Sequence, residues 1–159
     1  MEERLDYGKA APASYKALLS LDAAVERCGL EPLLLTLVQM RASQINGCAY
    51  CLDMHSKDAR AMGETEQRLY ALNAWRESPF YSDRERAALL WAETVTLISA
   101  DHAPDAVYAE VCRYFTEEEL ANLTMALVLI NSWNRLCISF RSQPGAYVSS
   151  RKPLAEVAG

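Results

Sequence analysis

Residues 46–62 read NGCAYCLDMHSKDARAM, and the fold of this stretch decides what kind of protein the chain makes. Cys48 and Cys51 form a C-x-x-C pair, with His55 four residues beyond the second thiol. In a βαβ setting such a pair reads as a thioredoxin-like redox motif. The local pattern favours a helix instead, opening after Asn46-Gly47 and running from Cys48 to Met62, where Gly63 closes it.

Working outward, the neighbouring segments give the same reading. On the N-terminal side, residues 12 to 28 repeat apolar positions at Leu18, Leu21 and Val25 and end at Cys28-Gly29. Pro32 suits the first turn of a helix carrying LLLTLVQMRAS. Towards the C-terminus, Thr65 opens a short helix to about Ala74, and Trp75 to Tyr81 reads as a connection containing Pro79. Ser82 and Glu85 have capping-box spacing and start a helix through ERAALLWAETVTLIS. Pro104 begins a shorter helix to about Tyr114. Thr116 and Glu119 form a second capping box, opening a long apolar helix to about Phe140. The tail from Gln143, with Pro144, Gly145 and Pro153, reads as irregular. No strand-like alternation of useful length and no internal repeat interrupts this series. The expected fold is all-α, a compact bundle of six or seven helices with the C-x-x-C at a helix start, and the thioredoxin reading falls away.

A chain of 159 residues makes one domain, large enough to bury roughly 70% of its unfolded surface. Its 51% apolar and 23% charged residues are ordinary for a globular protein, and the net charge is −5. No basic run interleaves with aromatics, so neither nucleic acid nor an anionic membrane is the expected partner. The N-terminal MEERLDYGKA lacks the apolar core of a signal peptide, and the runs Leu33 to Val38 and Ala121 to Ile130 are too short to span a bilayer. A cytoplasmic location is the expectation, where the five cysteines would rest reduced.

On a helical wheel Cys48, Cys51 and His55 fall at about 0°, 300° and 340°, within one narrow sector. Cys51 and His55 are an i,i+4 pair, close enough for the imidazole to hydrogen-bond or deprotonate the thiol. If Asn46 or Gly47 caps the helix, Cys48 lies in its first turn, where free amides and the dipole favour a thiolate. One thiolate can then be oxidised to a sulfenic acid and its neighbour can condense with it to a disulfide. Two other readings stay open at this point. The cysteines can be small apolar core residues, or three ligands of a zinc site completed by His102. Cys28, Cys112 and Cys137 have no partners in sequence and read as core packing.

The run RASQINGCAYCLDMHSKDARAMGETEQRLYALNAWRESPFYSDRERAALLWAETVT strongly resembles the AhpD-like branch of the carboxymuconolactone decarboxylase superfamily. The similarity extends from about Leu33 to INSWNRLCISFR, so the chain reads as one AhpD-like domain, 1–159, with its motif-bearing core at about 31–141. The resemblance implies an all-helical, cofactorless thiol peroxidase without a metal. Cys51 would be the peroxidatic thiol, Cys48 the resolving thiol, and His55 would act on Cys51. It also implies a hydroperoxide substrate, an external dithiol reductant, and a homo-oligomer, commonly a trimer or hexamer.

Two departures from the family pattern matter. A relay glutamate twelve residues before the first cysteine is here Thr36, and a histidine before the second cysteine is here Tyr50. Glu93 is the candidate replacement, since Leu89, Leu90 and Leu97 lie within about 60° of it on the wheel. A carboxylate on an apolar face should have a raised pKa, as a proton relay needs; the alternative is an ion pair with Arg86. In NSWNR, Asn131, Trp133 and Asn134 can line the site or an interface but read first as packing, and Tyr50, which could place a hydroxyl near the thiols, reads first as core. Beside the peroxidase stands a redox-responsive binding or sensor protein with little turnover, which the missing glutamate and histidine favour. The decarboxylase chemistry of the superfamily's namesake has no use for a dithiol.

Overall fold

The computed structural model describes residues 2–154 and contains only helices and connections among them. In chain order these are α1 (Tyr7–Ala10), α2 (Pro12–Glu26), α3 (Pro32–Asn46), α4 (Ala49–Met62), α5 (Glu66–Ala71), α6 (Asp83–Thr96), α7 (Ile98–Asp101), α8 (Asp105–Val111) and α9 (Glu117–Phe140). A 3-10 turn at Leu72–Ala74 extends α5. The all-α expectation holds, with more pieces than expected. α1 is too short to show a period in sequence. The helix expected through Ser99 breaks at Leu97, whose backbone leaves helical geometry (φ −102°, ψ 32°).

The starts and stops follow local chemistry. Pro12 and Pro32 occupy first helical turns, where a missing N–H costs nothing. The Ser82/Glu85 and Thr116/Glu119 capping boxes are both formed in full. Thr65 caps α5 by accepting the Arg68 amide.

α3 is the central helix and packs against α4, α6 and α9. Leu34, Leu35, Leu37, Val38, Met40, Ala42 and Ser43 are all buried, so α3 is enclosed on most sides and shows little amphipathic contrast. α9 is long and apolar enough, by length and composition alone, to cross a membrane. Its apolar run reaches further than the stretch read from sequence. In the fold it packs on α2, α3, α4 and α6, with Leu123, Ala126, Leu127, Leu129 and Ile130 in the core.

The tail after α9 is irregular, as expected, yet it is docked. Gly145 and Tyr147 give their carbonyls to Lys57 at 3.1 and 3.0 Å, and the Tyr147 hydroxyl donates to Asp58 at 2.8 Å. Leu154 closes the strap by donating its amide to the Met62 carbonyl. The tail thus lies along α4, the helix that carries the cysteines.

Candidate functional site

The site is built on the junction between α3 and α4. Gly47 ends α3 in the left-handed region (φ 71°), which glycine reaches without steric cost. Its amide bonds the Gln44 carbonyl and the Cys48 amide bonds the Ser43 carbonyl, the paired closure of a Schellman motif. The Cys48 carbonyl already accepts from Leu52, so Cys48 is itself the N-cap of α4. The expected cap at Asn46 or Gly47 is therefore displaced by one residue. Cys48 is fixed from both sides, with no residue of slack between the helices.

α9 is pinned to this junction by amide side chains. Asn46 donates to the Asn131 and Asn134 side-chain oxygens at 3.0 and 2.8 Å, and Asn134 donates to Ser43 at 3.0 Å. Asn134 is fully buried, where unpaired amide groups would be expensive, so this network fixes the register of α9. The packing role read for Asn131 and Asn134 is the one they play. One turn past Asn134 on the same face stands Cys137.

Three thiols consequently meet. Cys48, Cys51 and Cys137 are all buried, with their sulfurs within 4.8 Å of one another. Cys48 and Cys51 are at hydrogen-bond distance, 2.9 Å. The Tyr7 hydroxyl lies 3.7 Å from the Cys137 sulfur. Reading Cys137 as a plain core residue missed this. The available signal was the three-residue spacing of Asn131, Asn134 and Cys137 along an apolar helix. Cys28 does pack against the core, whereas Cys112 is exposed on α8's end, contrary to its core reading.

The electrostatics of the trio correct a second expectation. Hydrogen bonding to Cys137 pushes the Cys48 and Cys51 thiols up. Those same two thiols draw Cys137 down to about 3. The direction of these shifts favours Cys137 over Cys48 as the thiol that carries charge, where the first-turn argument pointed to Cys48.

His55 is buried, and its Nε2 is the one buried side-chain nitrogen or oxygen without a hydrogen-bond partner among the described residues. Burial pushes its pKa down to about 4, so the ring is neutral at physiological pH. His55, Cys51 and Cys137 line one cavity of about 180 Å³, walled by Tyr15, Tyr50 and Trp133. On the other side of His55 a second cavity of about 180 Å³ is bounded by Thr36, Asp58 and the strap residues Tyr147 and Arg151. Thr36 cannot replace a carboxylate there: its hydroxyl donates back to the Pro32 carbonyl at 2.9 Å.

Glu93 is not part of this cluster. Its carboxylate accepts from Arg41 at 2.8 Å and from the Trp75 indole at 2.8 Å, and pairs with Arg76 at 2.5 Å. Burial alone would raise its pKa, but these three donors together hold it below the usual carboxylate value. The raised pKa expected of a relay is thus reversed. Arg86, the alternative partner, instead donates to the carbonyls of Trp75, Arg76 and Ser78. His102 is exposed in a left-handed turn after α7 and is not among the groups gathered around the thiols.

Residues 12–94 match the carboxymuconolactone decarboxylase family. The chain belongs to that family. Within it the protein is AhpD-like, in line with its solved neighbours. The ATU0492 protein of Agrobacterium tumefaciens, of unknown function and suggested as an AhpD of antioxidant defence, is 42% identical with a TM-score of 0.88; the match covers 92% of this chain and all of that one. YdfG of Bacillus subtilis, an uncharacterised protein, is 42% identical over 87% of this chain and 95% of its own length. The debrominase Bmp8, solved with 2,3,4-tribromopyrrole, is 24% identical with a TM-score of 0.77 over 87% of this chain and 74% of its own, and shares the fold. The same fold thus also serves a debrominase.

Proposed function

We propose that the protein is a thiol-dependent hydroperoxide reductase. The observation that carries this reading is the Cys48–Cys51 pair at 2.9 Å, with Cys51 sharing a cavity with a neutral imidazole whose Nε2 has no hydrogen-bond partner. Cys51 sulfur attacks the distal peroxide oxygen as its proton passes to His55. The O–O bond breaks, and the leaving oxygen takes the proton from His55 to depart as alcohol or water. Cys51 is left as a sulfenic acid. Cys48 sulfur displaces that hydroxyl as water, giving the Cys48–Cys51 disulfide. An external dithiol returns two electrons and two protons.

The aromatic wall of the cavity favours an organic hydroperoxide over hydrogen peroxide. Tyr15 packs edge-on against Tyr7 and Trp133, each at 5.9 Å between ring centres, leaving an apolar face beside Cys51. The reading places the protein in a reducing compartment such as the cytosol, with its five cysteines free. It also includes self-association through the exposed apolar residues Leu97, Ile98, Met125 and Val128.

The test is a steady-state assay with tert-butyl hydroperoxide and dithiothreitol. Turnover that disappears in Cys51→Ser and falls in Cys48→Ser is the expected result. A single stoichiometric oxidation without turnover would favour the sensor reading, which Thr36 and the buried thiols support. Peroxide left unconsumed, with every thiol intact, would remove both.

A further inference from the structure

We propose that Cys137 is a second resolving thiol, condensing with a Cys51 sulfenic acid to form a disulfide that bridges α4 and α9. This rests on the reading of Cys51 as the thiol that peroxide oxidises. Three observations carry it. The Cys137 sulfur lies within 4.8 Å of both other sulfurs, on a helix held in register by the Asn46–Asn131–Asn134–Ser43 network. Cys137 lines the cavity where Cys51 would meet peroxide. With Cys48 it also lines a separate, more open cavity of about 360 Å³ beside Gly47, Ile138 and Pro144. Cys137 therefore touches both the side where oxidant enters and the side from which a dithiol can reach Cys48. Its readiness as a thiolate agrees with this geometry.

The chemistry balances without a further reactant. Cys137 sulfur attacks the Cys51 sulfenic sulfur, the S–O bond breaks, and the hydroxyl leaves as water with the Cys137 or a neighbouring thiol proton. Cys48 can then attack Cys51, forming the Cys48–Cys51 disulfide and releasing Cys137 as a thiol. The two-electron oxidation is thus passed on, and the external dithiol of the proposed cycle discharges it.

Tryptic peptides separate the two disulfides. Residues 42–57 carry both Cys48 and Cys51, whereas residues 136–141 carry Cys137. Reduced protein is treated with one equivalent of hydrogen peroxide, quenched with N-ethylmaleimide and mapped under non-reducing conditions, with dimedone present in parallel. Cys48→Ser should give the cross-linked 42–57/136–141 pair and little dimedone adduct. Cys48→Ser/Cys137→Ser should instead accumulate the adduct on Cys51. Wild type, which needs no substitution to fold, should show the cross-link at early times and lose it as the internal disulfide grows. Cys48→Ser with a persistent Cys51 adduct and fully alkylated Cys137 would overturn the proposal while leaving Cys51's reactivity standing. So would a stoichiometric soft metal ion, zinc or copper, found on the freshly purified protein and released by Cys137→Ser. If no wild-type thiol reacts, the peroxidase reading fails first and this one with it.

Discussion

Two polar groups largely withdrawn from water, the buried His55 and the mostly buried Glu93, are treated in opposite ways. Glu93 has three donors and keeps its charge. His55 has a free Nε2 and loses its charge to burial. A buried group with every bond made is cheap to keep and adds rigidity, whereas one left open is a standing cost. The open group is therefore where chemistry is expected, and the satisfied one is structure. The comparison reverses the order suggested by sequence, in which Glu93 on an apolar face looked like the relay.

Cys51→Ser should reduce peroxide consumption to background, and His55→Gln should slow it by about 10²-fold or more, the scale of a lost general base. Cys51→Ser should leave urea unfolding close to wild type, and His55→Gln should cost no more than about 1–3 kcal/mol for the amide it buries. Glu93→Gln should do the converse. It leaves Arg41 partly buried without its counter-charge and should cost on the order of 2–3 kcal/mol in urea unfolding, with peroxide kinetics unchanged. Slowed kinetics in Glu93→Gln at full stability would restore the relay.

Acid titration sharpens the same contrast. His55 binds its proton with a pKa of about 4 when folded and near 6.5 when unfolded, so the unfolded chain holds more protons between those values. Stability should be complete above pH 6.5 and fall as pH drops towards 4, by at most about 3 kcal/mol. Glu93 has the opposite kind of group but the same sign: its stabilisation is present above its unfolded pKa and is lost only as pH falls through its lowered folded value. Unfolding free energy measured from pH 7 to 4.5 should slope in wild type and flatten in His55→Gln. The acid limb of kcat/KM should also lie near 4, well below an ordinary histidine.

How much of this was legible depended on range along the chain. The Ser82 and Thr116 boxes, Gly47, Gly63 and the prolines act within a turn of themselves, and the helices they bound appear nearly where expected. Cys48, Cys51 and His55 share a helix face by spacing alone, which the structure keeps. Cys137 is distant in sequence and arrives only because buried amides align α9 with the Gly47 junction. Glu93 failed for the same reason. Its helix face could be computed, but Arg41 from α3 and Trp75 and Arg76 from the loop before α6 could not. The strap along α4 is held by Lys57, Asp53 and Asp58, whose exposed-looking charges carry no periodic signal.

The smallest expected effect is at Arg76, and it tests whether the Glu93 cluster works as a unit or through its buried arm. Arg76 is 54% exposed, against 16% for Arg41, so solvent screens its attraction to Glu93. It also stacks over the Trp75 ring at 4.4 Å, a contact of comparable modest worth when exposed. Arg76→Ala should therefore cost about 1 kcal/mol or less, with Glu93 still ionised by Arg41 and still bonded to the Trp75 indole. Unfolding in urea with and without added salt gives the check, since the wild-type advantage should shrink as ionic strength rises. A loss as large as that of Glu93→Gln would mean that the outer guanidinium, and not the inner one, makes the buried carboxylate tolerable.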